Sequence, residues 1–125
     1  MQATLRKFDP KAEFYFRERC WIVESWNDDG DEAASIARAR IEPGVTTRSH
    51  RLRGTVERYL IVEGTGLVTV GDSEPARVTP GDVVIIPEET SQQILNDGTA
   101  DLVFYCICTP RFSAECYEDL DQRSA

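Results

Sequence analysis

The chain is predicted to be all-β, a sandwich or closed barrel in a single domain. Apolar residues recur with period two along most of the sequence, the spacing of strands that bury one face. Turn signals built on Gly, Pro, Asn and Asp fall between these segments every eight to twelve residues, the rhythm of short strands in such folds. A length of 125 residues leaves little room for a second domain.

Residues 1–16 form an N-terminal arm, 17–110 the barrel and 111–125 a tail. The arm carries Phe14-Tyr15-Phe16, which can add an edge strand to a partner or cover its own sheet. Trp21–Trp26 is aromatic and β-branched, a strand, and Asn27–Glu32 is a loop. In Ser35–Ile41, Ala37, Ala39 and Ile41 share one face, and Ile36, Arg38 and Arg40 the other. Pro43-Gly44 breaks the chain. Glu57–Glu63 is a strand closed by Gly64-Thr65-Gly66. Leu67–Val70 follows, with a turn at Gly71-Asp72-Ser73. Arg77-Val78 leads to the turn Thr79–Asp82, and Val83–Ile86 is a wholly apolar strand stopped by Pro87. Gln92–Leu95 turns at Asn96-Asp97-Gly98, and Leu102–Cys108 ends before Pro110. Helix is expected only at the ends, with Ser113 placed to cap Ala114–Leu120.

Charge excludes two classes of partner. Fourteen Lys and Arg against 22 Asp and Glu leave a net charge of −8. An acidic chain lacks the clustered positive charge that phosphate backbones and anionic membrane surfaces require. The longest apolar runs are about four residues, far short of the roughly 20 of a spanning helix. Met1–Pro10 shows no apolar signal core, so the cytoplasm is the expected compartment. The cysteines Cys20, Cys106, Cys108 and Cys116 form neither a CxxC pair nor a zinc-ribbon spacing, and free, mostly buried thiols are expected.

Two stretches carry a motif. Gly44, His50, Glu57 and Gly64 fall at intervals that resemble the first motif of the cupin superfamily, with Leu52 where a second histidine stands. Gly81, Pro87 and Asn96 match the second motif, with Glu89 in place of a glycine and Gln92 in place of a histidine. The resemblance covers about Ser35 to Thr109. It implies a cupin double-stranded β-helix, a jelly roll of about eight to ten strands, and it implies a homodimer.

Alternation then selects the site. With Glu57 inward, Tyr59 and Ile61 point inward beside it. His50 and Leu52 share a face, as do Gln92 and Ile94. If these faces line one barrel, an imidazole, a carboxylate and an amide converge. His50, the only histidine in the chain, Glu57 and Gln92 are therefore the candidate ligands of a divalent first-row ion (Fe, Mn, Ni or Zn) with positions open to water. The metal-free alternative is a hydrogen-bonded His50–Glu57 pair able to do acid–base work in a ligand pocket. Tyr59 is a candidate catalytic group or a core aromatic with its hydroxyl satisfied. Arg48 shares the His50 face and can meet a substrate anion at the pocket mouth; otherwise it pairs with Glu42 or Glu63. The resemblance implies a protein that binds a small polar ligand inside the barrel. It is either a metal-dependent lyase, cyclase or dioxygenase, or a non-catalytic binding module.

Overall fold

The structure, a computed structural model, describes residues 1–121; residues 122–125 of the tail lie outside them. In chain order the strands are β1 (Phe14–Phe16), β2 (Cys20–Trp26), β3 (Ser35–Ile41), β4 (His50–Leu52), β5 (Val56–Glu63), β6 (Gly66–Val70), β7 (Ala76–Val78), β8 (Val83–Ile86), β9 (Gln92–Leu95), β10 (Leu102–Thr109) and β11 (Tyr117–Asp119). They build two sheets. One runs β1-β2-β3-β10-β5-β8 and the other β11-β4-β9-β6-β7. Neighbouring strands are antiparallel, as short turns require.

The alternation places the core as expected. Ile41, Ile61, Ile94, Leu102 and Phe104 fill the space between the sheets at one end. Leu52, Cys108, Cys116 and Tyr117 form a smaller apolar cluster. Along β5 and β10 the polar residue Glu57 stands opposite Cys108, and Tyr59 opposite Cys106, so a polar layer lies where the two clusters approach. All four cysteines are free thiols.

Two turns hold the frame. Gly64 takes φ +76° where a Cβ would lie 2.5 Å from the Asp101 carbonyl oxygen, so only glycine fits. Asn96 is fully buried and ties three segments: its amide donates to the carbonyls of Ile41 (2.8 Å) and Ala100 (2.9 Å), and its Oδ1 accepts from Gly98 N–H (3.0 Å). Glu89, at the glycine position of the second motif, keeps a left-handed backbone (φ 59°). It is held there by hydrogen bonds to Leu52 O and from Gly54 N–H, both 2.8 Å.

The arm takes the second of its two expected courses, and the tail differs from expectation. The arm serves its own sheet: β1 pairs with β2, and Glu13 grips Arg40 at 2.7 Å. In the tail, the predicted helix after Ser113 is one 3-10 turn, Ala114–Cys116, and Ser113 makes no side-chain cap. The chain then straightens into β11, which pairs with the edge of β4. A free strand edge offered more backbone hydrogen bonds than a short isolated helix can make. The apolar run of β8 is buried on one side only. Its outward residues Val83 and Ile85 are 58% and 63% exposed.

Candidate functional site

His50 opens β4 and faces inward, directly opposite Gln92 of β9. The ring is buried and stacks on Tyr117 of the tail, centroids 5.0 Å apart. Its Nδ1 lies 2.8 Å from the Arg48 carbonyl oxygen. A carbonyl only accepts, so Nδ1 carries a hydrogen and donates. Nε2 lies 3.0 Å from Oε2 of Glu18. That contact requires one proton between ring and carboxylate, and it leaves both ring nitrogens engaged.

Glu18 belongs to neither motif. It sits in the turn between β1 and β2, folded over the barrel mouth. Its second oxygen, Oε1, accepts from the Cys20 thiol at 3.0 Å. The metal-free alternative pairs His50 with Glu57; here Glu57 stands on β5 in the opposite sheet, and the hairpin turn delivers Glu18 to the ring.

Glu57 is 7% exposed, and its Oε1 has no hydrogen-bond partner. Burial pushes its carboxyl up to about 7. The charge of His50 draws it back down, Glu18 raises it further, and the Gln92 amide and Cys106 thiol lower it in part. Burial also drives the Cys106 thiol and the Tyr59 phenol well above their ordinary values, so both stay protonated.

Tyr59 is buried against Phe104 and donates its hydroxyl to Gln92 Oε1. The Nε2 of Gln92 is left without a partner of good geometry. Tyr59 and Gln92 thus stand behind the cleft as a support for the polar layer. Arg48 turns away to Asp119 at 2.9 Å and to the Asp121 carbonyl at 2.7 Å. It pairs with neither Glu42 nor Glu63; Glu42 accepts instead from the Trp21 indole.

These groups open into a cleft of about 70 Å³, room for the end of a small molecule, whose walls include Glu18, His50, Glu57, Phe16, Cys106 and Phe112. The donor set does not fit the expected ion. Leu52 offers no donor, Gln92 Oε1 is occupied by Tyr59, and His50 Nε2 is occupied by Glu18. Among the described residues no group of three or more His, Cys, Asp or Glu is placed to hold a metal ion.

Two facing antiparallel sheets enclosing a polar layer define a barrel of the cupin class. Residues 37–108 match the cupin domain family, and the chain belongs to it. An uncharacterised protein of Methanocaldococcus jannaschii is 37% identical over 87 residues, 70% of this chain and 69% of that protein. Among solved structures, a predicted oxalate decarboxylase from Thermotoga maritima superposes with a TM-score of 0.67 at 24% identity, covering 73% of this chain and 80% of the other. The nucleoside dehydratase Pac13 of Streptomyces superposes with a TM-score of 0.75 at 16% identity, covering 94% and 92%. At these identities the structural likeness is one of fold.

Proposed function

We propose that the chain binds a small polar molecule in the cleft and performs acid–base chemistry of the lyase type on it, without a resident metal ion. One observation carries this reading. A proton-bearing His50–Glu18 pair, closed at 3.0 Å, and the partnerless Oε1 of Glu57 line the same cleft. An elimination needs a base and an acid, both positioned. Glu57 is the base, with a free oxygen and a carboxyl that ionises near neutrality. Its carboxylate takes a proton from carbon, the released electron pair forms the new double bond, and the bond to the leaving oxygen breaks. The proton held at His50 Nε2 goes to that oxygen, and Glu18 orients the ring. In its support, one neighbour of the same fold is named a nucleoside dehydratase.

The test is a screen for loss of water from hydroxylated carbonyl compounds and nucleosides, read by mass spectrometry on the wild type, Glu57→Gln and His50→Ala. We expect each variant to lose on the order of a hundredfold or more in rate, with the rise in rate near pH 7 absent from Glu57→Gln. Undiminished turnover in both variants ends the reading. Elemental analysis after metal-supplemented expression tests the metal-free character of the site: a stoichiometric ion whose removal abolishes turnover ends this reading.

The same proposal takes the chain as a homodimer. In its support, the outer face of β5 and β8 exposes Leu60, Val62, Val83 and Ile85. The far edge of β8 pairs with no other strand among the described residues.

A further inference from the structure

We infer that the cleft selects a small organic cation, an amine whose ammonium group lies in the field of Glu24 and Glu57 and whose apolar body rests on Phe14, Phe16 and Phe112. This rests on the reading of the cleft as the ligand site and names the class of ligand.

The argument begins with charge. Three carboxylates line the cleft, Glu18, Glu24 and Glu57, and no Lys or Arg does. Glu24 is exposed at the mouth, on the same face of β2 as Ile22, which also lines the cleft. Glu57 is buried at the floor. The proton shared with His50 offsets Glu18, His50 is the one positive group in the walls, and neither Glu57 nor Glu24 has a Lys or Arg beside it there.

The nearby arginines are engaged with the protein itself. Arg17 lies over the Tyr117 ring at 4.4 Å and over the Phe16 ring at 5.6 Å, and Arg19 donates to the Thr46 carbonyl at 3.3 Å. Arg48 holds Asp119 at 2.9 Å, and Arg38 holds Glu13 at 3.6 Å. A carboxylate or phosphate ligand would enter an acidic cleft with no guanidinium to receive it, and would be repelled.

The second observation concerns Glu57, a wall residue of the cleft: its Oε1 is buried and has no partner, and buried polar atoms are rarely left so. An ammonium group supplies donors and the opposite charge together. Aromatic rings at the mouth suit the same ligand, since a cation and its alkyl or aryl body are both favoured against them.

The experiment is a titration of the full chain with three matched probes, followed by amide NMR shifts: 2-phenylethylamine, 2-phenylethanol and phenylacetate. The amine is expected to bind roughly tenfold tighter than the alcohol, shifting the turn around Glu18 and the ends of β2 and β5, with phenylacetate silent at these positions. Glu24→Gln, at an exposed position, should weaken the amine about threefold and leave the alcohol unchanged. Phenylacetate binding as tightly as the amine overturns the inference, and so does a failure of the amine to bind. Equal binding of amine and alcohol at the same residues overturns the selection of charge while leaving the cleft as the binding site.

Discussion

Glu57 is a carboxyl whose surroundings resist its charge, and this has a measurable sign. Its carboxyl ionises at about 7 in the fold against 4.5 in the open chain. Between these values the folded chain keeps a proton that the unfolded chain has released. Its stabilising contribution is complete below pH 4.5 and is lost as the pH rises towards 7. Glu57→Gln removes that loss. From pH 5 to pH 8 the variant should gain roughly 2–3 kcal/mol relative to wild type, read by urea unfolding at each pH. Glu13, Asp97, Glu118 and Asp119, held below the usual carboxylate range by arginines, act in the opposite sense at acid pH and cancel in the comparison. Behind Glu57, Tyr59→Phe leaves Gln92 with neither end of its amide satisfied. About 1–3 kcal/mol of stability should be lost, measured by chemical denaturation.

At the scale of the element, turn chemistry made the fold legible. Gly64, Gly81, Pro87 and Asn96 each mark a place where an ordinary residue would not turn the chain, and alternation put Glu57, Tyr59 and Ile61 on one face. The loop after β9 shows how strongly such a turn is specified. Asn96→Asp would set a carboxylate against the carbonyls of Ile41 and Ala100, which now accept from its amide. Two hydrogen bonds would be replaced by repulsion in a dry site, costing about 3 kcal/mol in a denaturation experiment. Other features had no local signature. The Glu118 and Asp119 segment is acidic and short, and only the vacant edge of β4 makes it a strand. The partner of His50 was equally illegible, because Glu18 reaches the ring only after the β1–β2 turn has folded across the mouth.

At the scale of the whole molecule, the apolar run of β8 was read from its composition without regard to which face would be covered. The structure leaves Val83 and Ile85 in water at the end of a sheet, a combination that native proteins seldom leave uncovered. The homodimer proposal accounts for it. Sedimentation at low micromolar concentration should give a species near twice the 14.1 kDa chain mass, and Val83→Lys with Ile85→Lys should return it to the monomer. A wild-type chain that sediments as a monomer would refute the proposal.

The stretch that matches the family runs from residue 37 to residue 108, yet Glu18 precedes it and Tyr117 follows it. The one imidazole of the protein is clasped by an acid from upstream and a ring from downstream. Its chemistry is therefore an accessory of the flanks: a copy trimmed to the shared barrel would retain the histidine and lose what governs it.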